Sequence, residues 1–317
     1  MPRAIGANCR LLMLPETVYG TAPGSNWRRM PFLSCDLGAE QPLLDADVIG
    51  VGSNRDPAAP FLDTVTVAGQ AVVPVDLINI GHWLRLLLGA PTTTGTTNFI
   101  HTFGSGAASL PSNAMEIGYP DVPSFDVCTG VRADTLELDF TPTGAATATF
   151  GLLGQGSVRT GATSGGTPTS AAYTAFNKAQ GSITRSAAAL AQVTGARLTY
   201  ANGMEAVRTI RADRRVEGVD PGIARCTGQI TVRFENTTLL AQAQAGTSAE
   251  FALAFTIDAN RSLTITLHEV YLALAKTPIE GPAGVEAGFD FRAAFNATAT
   301  RMMTAVLRNQ QAATEYA

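Results

Sequence analysis

A change of period inside one short stretch constrains this chain more than any other feature. Between Thr64 and Asp76, Val65, Val67, Ala71, Val73 and Val75 alternate with Thr64, Thr66, Gln70 and Asp76. A two-residue period gives a strand one buried and one wet face. From Leu77 the period lengthens. Leu77, Ile80, Trp83, Leu84, Leu87 and Leu88 recur along one helical face, with Asn79 as the expected N-cap and Gly89 as the stop. The unit recurs later: residues 228–235 alternate, with Ile230, Val232 and Phe234 inward, and residues 236–246 read as a short capped helix.

The recurrence extends to the surroundings. Gly69-Gln70-Ala71-Val72-Val73 matches Gly228-Gln229-Ile230-Thr231-Val232, with the two glycines 159 residues apart. Upstream, residues 38–40 face 203–205; downstream, 136–140 face 289–291 and 147–153 face 303–309. The shared order of strand, long loop, strand, helix, hairpin and strand pair reads as an internal duplication, and two copies are too few for a solenoid. Residues 32–44, 135–140, 145–153, 196–200, 289–295 and 302–307 read as further strands. A hairpin is expected around Asp258-Ala259-Asn260, and residues 1–31 read as irregular. The Gly/Ser/Thr-rich run 154–170 reads as a linker, dividing the chain into domains 1–178 and 179–317.

Composition narrows the function. Charged residues make up 15% and hydrophobic ones 45% of the 317 residues, which suits short strands joined by turns rather than a disordered or coiled-coil chain. A net charge of −4 argues against a protein that grips phosphate backbones. No hydrophobic leader or spanning segment is expected. Cys9, Cys35, Cys128 and Cys226 stand far apart and are expected to be reduced. His82, His101 and His268 show no metal-ligand spacing, and no Gly-x-Ser-x-Gly elbow occurs. The Gly50-Val51-Gly52-Ser53-Asn54-Arg55 run lacks the Gly-Lys-Ser/Thr ending of a phosphate loop, and Pro57 and Pro60 follow where its helix would begin. No catalytic residue, metal or cofactor is expected.

Charge separates the halves. Residues 1–178 carry 9 basic and 14 acidic groups, and residues 179–317 carry 13 and 12. The matching connections differ most: one holds Asp45, Asp47, Asp56 and Asp63 against Arg55, and the other Arg208, Arg211, Arg214 and Arg215 against Asp213. Two solvated loops would explain this. So would loops that meet across a subunit contact, where opposite charge fixes partner and register. The Trp27-Arg28-Arg29 triplet is a further candidate contact.

Several ordered segments carry a resemblance. The run from Pro31 to Leu43 (Pro-Phe-Leu-Ser-Cys-Asp-Leu-Gly-Ala-Glu-Gln-Pro-Leu), Arg55-Asp56-Pro57, Val72-Val73-Pro74-Val75-Asp76 and Gly81-His82-Trp83-Leu84 look like the tail tube proteins of long-tailed bacteriophages. Pro221-Gly222, residues 227–234 and the Leu307-Arg308-Asn309 ending are similar too. The resemblance implies a mainly β chain: two tandem tube-like β-sandwich or barrel domains, each with a short flanking helix. It implies a virion protein, folded in the host cytoplasm, that assembles with itself into rings stacked into a DNA-conducting tube. Other tail proteins would sit at the tube ends and a tape-measure protein in the lumen. Rings of six single domains are usual in the family, so the duplication favours a trimeric pseudo-hexamer over a hexamer. Glu137, Asp139 and Asp290 are candidates to face a neutral or acidic lumen. The loops at 45–63 and 205–222 and the N-terminal segment are candidates for contacts between stacked rings. A tail terminator, a distal tail adaptor, a decoration protein, or a β-rich carbohydrate-binding module stand as alternatives.

Overall fold

The computed structural model describes residues 3–46, 48, 56–190, 192–279 and 281–317. Asp47, Arg55 and the glycine-rich run at 50–54 lie outside them. The first half runs β1 (Arg10–Pro15), β2 (Arg28–Met30), β3 (Ser34–Cys35), β4 (Gly38–Glu40), β5 (Leu43–Leu44), β6 (Phe61–Leu62), β7 (Thr66–Pro74), α1 (Asn79–Leu88), β8 (Thr92–Thr94), β9 (Phe99–Gly104), β10 (Asn113–Tyr119), β11 (Ser124–Phe140), β12 (Thr147–Gly154) and β13 (Gly156–Thr160). The second runs β14 (Gly181–Arg185), β15 (Ala188–Ala189), β16 (Val193–Ala201), β17 (Glu205–Val207), β18 (Gly218–Asp220), β19 (Arg225–Arg233), α2 (Thr238–Ala245), β20 (Ala249–Asp258), β21 (Arg261–Leu272), β22 (Glu286–Ala293) and β23 (Met303–Asn309).

The chain is mainly β. Among the described residues nineteen strands join one network that does not close on itself, while β5–β6 and β17–β18 stand apart as two-stranded hairpins. Its main sheet has the antiparallel order β3/β4–β7–β12–β11–β16–β19–β22–β21. The N-terminal parts of β11 and β21 leave this sheet to form further ladders, β2–β1–β10–β11–β13 and β15–β14–β20–β21–β23. Alternating apolar residues of the main sheet meet α1 and β20 across the core. Trp83 stacks on Phe150 with ring centroids 5.0 Å apart, and Phe140 on Phe255 at 4.5 Å.

Hydrogen-bond partners reveal a recurrence that is tighter than the sequence comparison. Ala71 pairs with Phe150 and Val73 with Ala148; in the second half Ile230 pairs with Phe289 and Val232 with Ala287. The β7–β12 register therefore reappears in β19–β22. Several of the expected correspondences change. Strand β12 matches β22 rather than 303–309, β11 matches β21 rather than 289–291, and residues 38–40 match 199–201 rather than 203–205. The downstream shifts arise because the first half inserts the β8–β9 hairpin, and β9 then pairs with β23. Both the β11–β16 and β9–β23 pairings cross the expected boundary at 178/179.

The glycines of the repeated motif have a physical reason. A Cβ on Gly69 would lie 2.5 Å from the Leu37 Cα, and one on Gly228 would lie 2.0 Å from the Arg197 carbonyl oxygen. A neighbouring backbone presses on both positions, and it cannot rotate away.

Other expectations are corrected. Residues 1–31 contain β1 and β2. The strand expected over 32–44 is broken between β3 and β4, where the Asp36 carboxylate takes the Gln70 N–H and Leu37 turns into the core. The run 154–170 is no free linker: it contains β13, and the buried Glu116 carboxylate accepts from the Thr163 hydroxyl at 2.6 Å and the Ser164 N–H at 2.5 Å. Helix α1 is capped by Asp76, which accepts from the backbone N–H groups of Asn79 at 3.1 Å and Ile80 at 3.0 Å. Asn79 is already helical. Burial pushes the Asp76 carboxyl upward, against the pull of those donors.

The C-terminus closes over α1. Tyr316 is fully buried against Gly81; its hydroxyl donates to the Ile78 carbonyl at 2.8 Å and accepts from Asn309 at 3.0 Å. Nine of the ten α1 residues are buried, against two of eight in α2.

Candidate functional site

One face of the main sheet packs on the core, and the other faces solvent. Thr147 and Thr149 on β12, Thr199 on β16, Thr227 and Gln229 on β19 and Gly288 on β22 populate the open face. Glu137, Asp139 and Asp290 lie on it, each on a strand. They are not a bare acidic patch. Glu137 is ion-paired with Arg197, Asp139 stands opposite Arg197 in the ladder, and Asp290 accepts from the Gln229 amide at 2.8 Å. Arg225, Arg233 and Arg292 share the face, with Glu286 opposite Arg233. Alternating sign and short polar side chains give a wet surface without the clustered positive charge that holds phosphates.

The two long connections form arms that differ. In the second, β17 pairs with β18, and Val216 and Val219 are 1% exposed. This arm lies across the first half. Arg132 donates to the Val219 carbonyl, Gln155 to that of Glu217 at 2.9 Å, and the Val65 N–H to that of Arg214 at 2.9 Å. Leu110, Met204, Val219 and Leu153 form a small core beneath it. One of its arginines is satisfied locally. Arg211 forks onto Asp213 with two bonds of 2.9 Å and reaches Glu217 at 2.6 Å. The Arg211 guanidinium holds the Asp213 carboxyl down at about 2 and lowers that of Glu217. Arg208 and Arg214 are exposed and Arg215 is half-buried beside Gly156.

The two described strands of the first arm, β5 and β6, lie open instead. Leu43 pairs with Leu62 and Leu44 with Phe61, yet the four are 64%, 45%, 41% and 51% exposed in that order. Its root is tied: Asp63 donates its N–H to the Pro42 carbonyl at 3.0 Å, and Gln41 donates to the Asp63 carbonyl at 2.6 Å. Asp45 and Asp56 are exposed and Asp63 is half-buried. The charges of this loop gave no sign of the exposed apolar pair, whereas the repeated pattern Pro42-Leu43-Leu44-Asp45 and Pro60-Phe61-Leu62-Asp63 marks it. That pattern was the available signal.

The N-terminal triplet is mostly interior. Trp27 is fully buried, with its indole donating to the Pro23 carbonyl at 3.0 Å, so it is no contact surface. Arg28 pairs with Glu315, which His82 also approaches at 3.3 Å, and only Arg29 is exposed. Burial lowers the His82 imidazole, and the His82 hydrogen bond lowers the Glu315 carboxyl.

Among the described residues no group of His, Cys, Asp and Glu is placed to hold a metal, and no helix is long and apolar enough to cross a membrane. The four cysteines are unpaired; burial pushes the Cys128 thiol up to about 11 and that of Cys226 to about 12. His101 bridges Thr93 at 2.8 Å and Asn309 at 3.0 Å, a packing role. No curated protein matches the chain. A family model described as phage tail tube protein matches residues 6–293.

Proposed function

The chain belongs to the phage tail tube protein family, and we propose that it forms a tube of stacked rings, each made of three chains. Each chain contributes two tandem tube-type β domains, residues 1–178 and 179–317. One observation carries this reading. Strand β16 sits on the edge of β11 to join the two halves, and the equivalents of these two strands face outward at the ends of the main sheet. By its pairing on β7, β3/β4 is the counterpart of β16. By its pairing on β22, β21 is the counterpart of β11. Among the described residues no strand covers the outer edge of β3/β4. Likewise none covers the β21 edge at Tyr271 and Leu272, where Ala273 extends the pairing to β22 through the Asp290 carbonyl at 2.8 Å. Joining β21 of one copy to β3/β4 of the next repeats the internal joint and removes both exposed edges.

The count of strands favours three chains. With strands about 4.8 Å apart and tilted about 40°, a closed sheet of roughly 24 strands has a backbone diameter of about 48 Å, and one of roughly 48 strands twice that. The smaller bore suits a single double helix. The sign-mixed face of Thr, Gln, Glu137, Asp139, Arg197 and Asp290 would then line it, letting DNA pass without a run of phosphate contacts. A tape-measure protein in the bore and other tail proteins at the tube ends complete the virion assembly that this family implies.

Native mass measurement of the purified protein, with electron microscopy, tests the reading. Rings of three times 33.0 kDa stacked into tubes are the expected result. Monomers that persist at high concentration would overturn it, and six-chain rings would overturn the trimer.

A further inference from the structure

We propose that the exposed first arm is a clasp that packs, within the ring, on the second half of the preceding copy of this chain. The proposal rests on the ring reading above. It specifies a contact that reading leaves open.

The second arm supplies the template. It starts beyond β16, crosses the joint between the halves and buries Met204 and Val219 against Leu153 and the Arg132 side chain. Each participant has a counterpart fixed by strand pairing. Glu40 pairs with Thr66 and Ala201 with Arg225, so Leu43 occupies the place of Met204, three residues further on in each case. Arg132 pairs with Leu153, and Tyr271 pairs with Arg292, so Tyr271 and Arg292 mark the surface equivalent to the bed of the second arm.

Both sides of the implied contact are bare and apolar in the single chain. On the arm, Leu43, Leu44, Phe61 and Leu62 lie open. On the bed, Tyr271 is 40% exposed, while Leu274 and Phe295, which flank the Tyr271–Arg292 pair in sequence, are each 65% exposed. The corresponding first-half surface is covered by the second arm, whose Val216 and Val219 are sealed. Exposed large apolar side chains on both sides of the implied contact are what an interaction surface requires. The internal template names its occupant as another copy of the same chain. Leu43 of one copy would then meet Arg292 of the preceding copy, as Met204 meets Leu153.

Two experiments decide it. The double variant Leu44→Asp/Phe61→Asp alters side chains that are exposed in the single chain, so its circular dichroism melt should match that of the wild type. Its rings should require about a hundredfold more protein or more, as expected for losing the burial of two large apolar groups. Val122→Asp, at the exposed β10–β11 turn, should assemble as the wild type does. In a Cys9→Ser/Cys35→Ser background, mixing a chain carrying Leu43→Cys with one carrying Arg292→Cys should give a covalent two-chain product on mild oxidation. A wild type that forms no rings overturns the ring reading and this proposal together. Rings by the wild type and by the double aspartate variant at equal concentration, or rings that yield no cross-link, overturn the clasp alone.

Discussion

The two arms hold equivalent places in their halves, yet the strands of one are folded down while the described strands of the other stand open. The arm at 205–220 buries Val216 and Val219 on a neighbour in the same chain, whereas the arm at 43–62 presents Leu43 and Phe61 to solvent. The helices show the same inequality. Helix α1 lies under Tyr316 and beside β9, with nine residues buried; α2 has no inserted hairpin after it and buries only Leu239 and Gln242. The difference is one of supply. Where the covering element is encoded in the chain, a half is finished; where it is not, apolar surface is left over.

The largest effects should fall on the covered helix. Trp83→Ala, which removes the ring stacked on Phe150, should cost about 4 kcal/mol in denaturant unfolding, and Leu239→Ala in α2 about 2 kcal/mol. Equal costs would break the comparison, because they would mean that α2 is as fully packed as α1. Tyr316→Phe keeps the ring but leaves the buried Ile78 carbonyl without its hydroxyl donor, for about 1–2 kcal/mol.

The repeated glycines sharpen the comparison from the other side, since they sit where the halves agree. Gly69→Ala and Gly228→Ala should each cost about 2–3 kcal/mol, because the added methyl meets the Leu37 backbone in one half and the Arg197 carbonyl in the other. A loss at one position and none at the other would show that the shared register does not carry shared packing.

Much of the main sheet was legible in the sequence because its strands obey a two-residue period. The stretches around Ala71, Leu136 and Ile230 were placed from alternation, and β19 was matched to β7 with its helix following. The missing parts lacked a periodic signal. Strands β1 and β2 sit among the turn formers Pro15, Gly20 and Pro23, and Trp27 reads as a surface residue until Pro23 and Thr169 are seen to fold around it. Glu116 gave no hint that a glycine-rich run would be tied to it. Partner assignments failed for another reason. Chain order cannot tell β22 from β23 as the match of β12, since only the hydrogen-bond ladder distinguishes them. At the candidate surfaces, charge drew the reading toward Arg211 and Arg214, while the uncovered area was apolar.

The smallest effect concerns those charges. The sequence left the arginines of the second arm either solvated or paired with another chain; in the single chain Arg211 holds Asp213 and Glu217 within its own arm. Both carboxyls are therefore held below their usual range in the single chain, Asp213 at about 2. A depressed folded-state value means that the pairing contributes above the unfolded carboxyl range, near 3.9 for Asp, and is lost as pH falls through the folded value. For Asp213 that window runs from about 4 down to about 2. Because the groups are solvent-exposed, salt should weaken the contribution further. Carboxyl NMR titration of dilute, monomeric protein should place the Asp213 midpoint near 2, and Arg211→Ala should return it to the ordinary carboxylate range. If the monomer instead titrates normally and the midpoint falls only on assembly, the charges act between chains. The second arm would then be as unfinished as the first.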